Sequence, residues 1–316
     1  MTEYFTAIGH VALDTGNPDR LGGGVSYSGI AARNLDARVT ILTRAPETHP
    51  YLCTLRQRGI TIIVPPSDSN TSDQNRITTF SNEYDRHGNR QQVLLERQDP
   101  ITTRDLIHLP TLRQRPTFLV APIIGEVETA VIPKLAKKGE VAVTPQGYFR
   151  KTGENGVIYQ KDWSGYEKHL AFAKYVILSD EDIAVEGVRN DALLSTLRGI
   201  VPTVILTRGE LGATVYSQEE GELPIAAFEL YSNEILDPTG AGDVFAAAFL
   251  ITMKRTGNLH NAAVAAALYA AIKLTTPGIG IEAVPSSDLV DQFVLEHRNR
   301  VNSFCTQNGL GQPPLL

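Results

Sequence analysis

Residues 237–243 read Asp-Pro-Thr-Gly-Ala-Gly-Asp and lead straight into Val-Phe-Ala-Ala-Ala-Phe-Leu-Ile at 244–251. A glycine-rich turn thus opens an apolar helix. Gly240 and Gly242 let the main chain turn tightly and leave amide N–H groups free at the helix start, where the aligned peptide dipoles favour an anion. A phosphate suits that position. Asp243, in the first helical turn, sets a carboxylate beside the anion, where it can take the proton of a hydroxyl attacking phosphorus. Helix stability explains part of the pattern, since an acid near a helix N-terminus is worth about 0.3–1 kcal/mol. It asks for neither the two glycines nor the uninterrupted apolar run that follows.

Working outward, short β-branched runs alternate with helical stretches, the pattern of a parallel sheet covered on both faces. The expected strands are Tyr4–Ile8, Arg38–Thr43, Thr117–Ala121, Glu140–Thr144, Tyr175–Leu178, Thr203–Thr207 and Ala213–Tyr216. Expected helices cover Ser26–Leu35, Pro50–Arg58, Val127–Lys137 and Asp191–Arg198. Two stretches interrupt the alternation. Residues 9–23 form a turn-rich excursion, and residues 76–97 carry alternating runs around Arg86-His87-Gly88-Asn89, which reads as a β-hairpin. Such a hairpin suits a cover over a site that must exclude water; packing on a sheet edge or on a second copy of the chain explains it as well, so a homodimer stays open. The polar run 65–75 reads as a connection. With no linker to divide it, the chain is expected to be one domain, 1–316, with lid excursions at about 9–23 and 76–97.

Hydrophobic residues at 42% and charged residues at 20% place the 316-residue chain among ordinary globular proteins rather than disordered ones. A net charge of -6 offers no basic field for nucleic acid. Cys53 and Cys305 lie far apart, without metal-type spacing, which fits a reducing, cytoplasmic setting. Neither an export leader nor an apolar run of membrane-spanning length is visible, the stretch Leu259–Leu274 being broken by His260, Asn261 and Lys273. A Walker-type phosphate loop and a Gly-x-Gly-x-x-Gly after the first strand are both missing. The seven histidines are scattered.

The stretch Asp237–Asp243 resembles the C-terminal signature of the ribokinase or PfkB-type carbohydrate kinases, and the order of elements is similar along most of the chain. The resemblance implies an α/β fold, a three-layer sandwich with a mostly parallel central sheet and a small β lid. It implies that Asp243 is the catalytic base, that the Gly240, Ala241 and Gly242 amides form an anion hole, and that the γ-phosphate of ATP passes to an alcohol with Mg²⁺ present. Such enzymes hold the acceptor with an early Asp and a Gly-Gly pair, which here match Asp14, Gly22 and Gly23. Three adjacent glycines, Gly22–Gly24, independently suggest a close approach of backbone to ligand. Tyr27 stands where ribose-type members carry Asn, which puts ribose in doubt.

In Thr207-Arg208-Gly209-Glu210-Leu211-Gly212 the resemblance places Thr207 and Gly209 near the nucleotide; a hairpin turn explains the stretch equally. Ser179-Asp180-Glu181-Asp182 stands where the family carries Asn-x-x-Glu, so Asp182 becomes the candidate magnesium residue, against the competing reading of a solvated acidic helix start. Arg150 offers a planar fork to phosphate or a partner to a surface carboxylate. Gly278 and Gly280 fall where the family closes over adenine, although a Pro-Gly helix stop explains them too. Leu21–Tyr27, Thr144–Arg150, Glu96–Ile101 and Thr276–Gly280 look more like myo-inositol kinase-like members than ribokinase. The expected activity is phosphorylation of a small sugar or polyol, myo-inositol first. Two alternatives stand beside it: a nucleoside kinase, with Tyr27 or Tyr84 as a slot for the base, and a non-catalytic small-molecule sensor.

Overall fold

Alternate residues of the central strands divide between two hydrophobic cores, which is what a sheet buried on both faces requires. Phe5, Ala7, Leu119, Ala142, Tyr175, Ile177 and Ile205 join one core. Ile8, Phe118, Val120, Val141, Val143, Val176, Leu178, Val204 and Leu206 join the other. Helices Gly24–Asn34, Ala241–Thr256, Leu259–Thr275, Ser287–Glu296 and Arg298–Gln307 cover the first face, through side chains such as Ile30, Phe249, Leu268, Phe293 and Phe304. Val131–Ala136 and Asp191–Ile200 cover the second, through Leu135 and Leu197. The structure, a computed structural model, describes residues 2–314 apart from 17, 67–75, 85–89, 113, 162–163, 166, 186–187 and 279; at 83–84, 90–91, 185 and 188–189 it describes the backbone alone.

Nine strands form the large sheet, in the order Gly221–Ile225, Ala213–Ser217, Thr203–Thr207, Tyr175–Ser179, Glu140–Val143, Thr117–Val120, Tyr4–Ile8, Arg38–Leu42 and Thr61–Ile63. The pairings are parallel from Thr203–Thr207 to Thr61–Ile63, and the two strands beyond Thr203–Thr207 are antiparallel. Every strand expected from sequence is present, with its ends moved by no more than a residue. The two unforeseen strands lie at the edges. One has three residues, and the other carries Pro224, which an edge tolerates because a proline has no N–H to donate.

A second sheet of four strands stands apart, in the order Arg20–Gly22, Ala12–Thr15, Thr78–Tyr84 and Arg90–Glu96. The excursion at 9–23 is therefore itself a hairpin, with Ala12 opposite Gly22 and Asp14 opposite Arg20. It pairs in parallel with the expected hairpin at 76–97, whose turn at 86–89 lies outside the described residues, as does most of the polar run 65–75. His10 and Glu126, both wholly buried, fasten this sheet to the large one. The Glu126 carboxylate accepts the N–H of His10 at 3.1 Å, Ile123 at 2.9 Å and Ile124 at 2.8 Å. The His10 ring pairs with the Thr78 hydroxyl at 2.8 Å and the Asp99 carbonyl at 3.0 Å, and its burial disfavours the charged form. No helix of the described residues is long and apolar enough to cross a membrane.

Candidate active site

The Asp237–Asp243 turn is built on Asp237. Its carboxylate accepts the N–H of Thr239 at 2.9 Å and of Gly280 at 3.3 Å, joining two loops at the start of the helix Ala241–Thr256. Burial alone would raise the Asp237 pKa, but these hydrogen bonds and the nearby Lys273 charge outweigh it and hold the carboxyl below its ordinary value. Gly240 then turns the chain at φ 80, ψ 3, the left-handed conformation that disfavours side chains. A Cβ there would also lie 2.3 Å from the Tyr27 ring. Tyr27 is 2% exposed, so its ring packs beneath the turn rather than facing an open cleft.

No side chain caps the helix. The Ala241 amide turns back to the Pro238 carbonyl at 3.3 Å, and the Val244 amide makes the first helical bond, to Gly240, at 2.9 Å. The Gly242 and Asp243 amides have no carbonyl one turn behind them within the helix. A Cβ on Gly242 would meet nothing within 4 Å. Of the three amides expected to face an anion, Gly242 belongs to an exposed residue, and Ala241 carries a long internal bond.

Asp243 lies against the glycine triplet. A Cβ on Gly24 would stand 2.6 Å from Asp243 Oδ1, and a Cβ on Gly22 would stand 2.4 Å from Asp14 Oδ2. Gly23, at φ 88, runs 2.4 Å from the His10 carbonyl by the same measure. The two carboxylates therefore flank one bare stretch of backbone, Asp14 from the small sheet and Asp243 from the large domain body. Burial pushes the Asp243 carboxyl up to about 7, the Asp182 charge adds to the rise, and Arg150 opposes it. A carboxyl poised there can accept a proton near neutral pH, which its ordinary value of 3.8 would not suit.

Asp182 and Arg150 thus belong to the electrostatic surroundings of Asp243. Asp182 also serves the fold: its carboxylate accepts the Ser179 N–H at 2.9 Å while the Ser179 hydroxyl accepts the Asp182 N–H at 3.3 Å, a reciprocal cap on the short helix Asp180–Ile183. Arg150 donates to the Ile123 carbonyl at 3.2 Å. Thr207 pairs with Ser179 across adjacent strands and donates its hydroxyl to the Leu178 carbonyl at 3.3 Å. Gly209 follows in the expected hairpin turn with open space around it, and Gly278 sits at φ 128 beside Glu282. Gly280, in the same C-terminal turn, approaches Leu21, Arg20 and the Tyr27 hydroxyl. Asp14, Gly22, Gly23, Tyr27, Gly240–Gly242 and Asp243 come together, and Asp182 and Arg150 lie within electrostatic reach of Asp243; Thr207 connects to Asp182 through Ser179, its partner across the sheet.

Sequence reasoning missed Lys273, taken there as a polar interruption of a helix. Its side chain is fully buried and its ammonium donates to the Asp237 carbonyl at 2.5 Å. The available signal was the surrounding helix, apolar on every side, in which a lysine requires a partner. A separate hollow of about 260 Å³, lined by Thr6, Leu109, Pro110, Phe118 and Lys138 among others, gathers no carboxylate and offers no comparable acid–base chemistry.

The profile of the pfkB family of carbohydrate kinases matches residues 126–286, just over half of the chain. A cytidine kinase of Thermococcus kodakarensis is 46% identical over 52 residues, 16% of this chain and 18% of that protein, so the match spans under a fifth of that curated relative. Among solved structures, the chain is similar to a pyrophosphate-dependent kinase in the ribokinase family complexed with a pyrophosphate analog and myo-inositol. The TM-score is 0.70 at 21% identity, over 88% of this chain and 98% of that one. It is also similar to the nucleoside kinase of Methanocaldococcus jannaschii, with a TM-score of 0.67 at 16% identity, over 94% and 99% of the two chains. These likenesses carry the ribokinase-like α/β fold expected from sequence.

Proposed function

We propose that the chain, which belongs to the pfkB carbohydrate kinase family, transfers the terminal phosphoryl group of ATP to a hydroxyl of a small polyol or sugar, with myo-inositol the first candidate. The observation that carries this reading is the placement of Asp14 and Asp243 on either side of the bare backbone at Gly22–Gly24, with the Gly240–Gly242 turn alongside. An acceptor laid over those glycines has one hydroxyl held by Asp14 and another presented to Asp243. Asp243 takes the proton as the oxygen bonds to phosphorus, and amides of the turn offset charge on the phosphoryl oxygens. The small sheet covers the acceptor and excludes water as a competing nucleophile. Arg150, and the Thr207–Gly209 and Gly278 turns, would receive the donor.

The chemistry of the site fits a divalent cation. After burial, the Asp182 charge raises the Asp243 pKa, with Arg150 as the opposing charge, and Mg²⁺ would supply charge neutralisation at phosphoryl oxygens. Asp182 would hold it. Among the described residues no group of three His, Cys, Asp or Glu side chains gathers as a metal site, so donor phosphates and water would complete the shell, consistent with the reluctance of Mg²⁺ to shed water.

A nucleoside acceptor is the second reading, favoured by the 52-residue stretch shared with a cytidine kinase. Tyr27, one of the two side chains expected to face a base, packs beneath Gly240, which supports the polyol reading over this one. Phosphotransfer from ATP, and separately from pyrophosphate, to myo-inositol, ribose, fructose, cytidine and inosine separates the readings. Turnover on myo-inositol above the nucleosides supports the polyol reading, turnover on cytidine reverses the order, and no turnover with undiminished ligand binding favours a sensor.

A further inference from the structure

Lys273 is a fully buried charge that the proposed chemistry does not use. It lies in the last turn of the helix Leu259–Thr275, where a cation suits the helix dipole, yet its ammonium turns away to Asp237. Nζ stands 2.5 Å from the Asp237 carbonyl and 3.9 Å from Asp237 Oδ2. Asp237 carries the turn in its turn, through the Thr239 amide at 2.9 Å and the Gly280 amide at 3.3 Å. The next bond along, Leu236 N–H to the Leu274 carbonyl at 2.8 Å, clips the same segment to the end of the helix. Only Pro238 and Thr239 separate Asp237 from Gly240. A buried carboxylate without a counter-charge is costly, and the segment would rearrange to reach water.

We propose that Lys273 is a positioning residue, a built-in counter-ion that fixes Asp237 and thereby aims the Gly240–Gly242 amides at the phosphoryl group. The inference rests on the anion-hole reading of that turn. The ammonium touches neither donor nor acceptor; it acts through the Asp237 carbonyl and carboxylate. Removing the ammonium leaves the Asp237 carbonyl and carboxylate beside a small vacated volume, which a small cation from solution can enter.

The test compares wild type, Lys273→Met and Lys273→Arg in sodium, potassium, ammonium and tetramethylammonium chloride at matched ionic strength. Calorimetry reads binding of MgATP and magnesium pyrophosphate, initial rates read phosphotransfer to myo-inositol and cytidine, and thermal unfolding confirms the fold. Wild type should be indifferent to the salt. Lys273→Met should lose about 10²-fold in kcat, comparable to the loss of one oxyanion donor, with acceptor KM within about threefold. Ammonium or potassium should restore about tenfold of it and tetramethylammonium none, while Lys273→Arg should retain part of the rate without added cation. If the acceptors give no turnover, the same loss and rescue should appear in donor affinity. A folded Lys273→Met with wild-type rates and donor affinity, or with a loss that no small cation restores, overturns the inference. Should Lys273→Met fail to fold, Lys273→Met/Asp237→Asn removes both charges, and wild-type kcat or donor affinity in that protein overturns it. Wild type that binds neither donor overturns the anion-hole reading and this inference together, whereas a normal wild type with an unaffected Lys273→Met overturns this inference alone.

Discussion

Replacing Asp243 with Asn should stabilise the protein above neutral pH, and the sign of that effect separates a strained base from an ordinary helix acid. The folded carboxyl is pushed up to about 7 from 3.8. Between those values the folded state keeps a proton that the unfolded state has lost, so wild-type stability falls as pH rises through the window and levels off above about 7. Three units at about 1.4 kcal/mol each give about 4 kcal/mol as an upper bound. Asp243 is half-buried, and halving the figure for solvent screening gives about 2 kcal/mol. Asn is neutral throughout and carries no such penalty. Because the unfolded carboxyl has already ionised at pH 5, the part of the difference that develops between pH 5 and pH 8 is about 1–3 kcal/mol. At about 2 °C per kcal/mol for a chain of this size, the Tm of Asp243→Asn should gain about 2–6 °C on wild type across that range. Were Asp243 merely a favourable N-terminal acid, Asn would instead cost about 0.3–1 kcal/mol. Scanning fluorimetry of the two proteins, without nucleotide, from pH 5 to pH 8 gives the answer. Parallel Tm curves, or a variant that loses stability at pH 8, would refute the burial argument.

Other expectations follow from the same geometry. The kcat/KM of the wild-type enzyme should fall about tenfold per unit below about pH 7, as the base is protonated; a rate flat down to pH 5 assigns the base elsewhere. Gly240→Ala meets both a left-handed backbone and the Tyr27 ring, so it should lose about 2 kcal/mol or more of stability by chemical denaturation. Gly242→Ala meets nothing within 4 Å and should unfold like wild type or slightly later, while donor affinity by calorimetry falls about tenfold or more. Asp14→Ala should raise acceptor KM about tenfold or more with donor affinity within about threefold, and a reversed split would move the acceptor away from Gly22.

The large sheet was legible because its strands are buried on both faces and read as β-branched runs, ended within a residue by turns. The small sheet was half legible. Thr78–Tyr84 and Arg90–Glu96 are long enough to show alternation, whereas Ala12–Thr15 and Arg20–Gly22, four and three residues long, are too short to set a period and read as turns. The seam at 237–243 was legible because Gly240 has a local cause, the left-handed turn it makes, whereas Gly242 already lies inside the helix. What local sequence could not show was tertiary: the ring of Tyr27 under Gly240, the Asp182 charge that helps raise Asp243, and the reach of Lys273 to Asp237 across 36 residues. Asp182 illustrates the limit from the other side, since one carboxylate both caps a short helix and acts on Asp243 through its charge, and a pattern of acids names neither task.

The role proposed for Asp243 is removal of the acceptor proton during phosphoryl transfer. Its most direct test is the rate of a single turnover from MgATP to the acceptor that the wild-type protein phosphorylates best in the panel, measured for wild type and Asp243→Asn with enzyme in excess. Without the base the variant should lose about 10³-fold or more in rate, with donor affinity within about threefold of wild type. Equal single-turnover rates in the two proteins would contradict it.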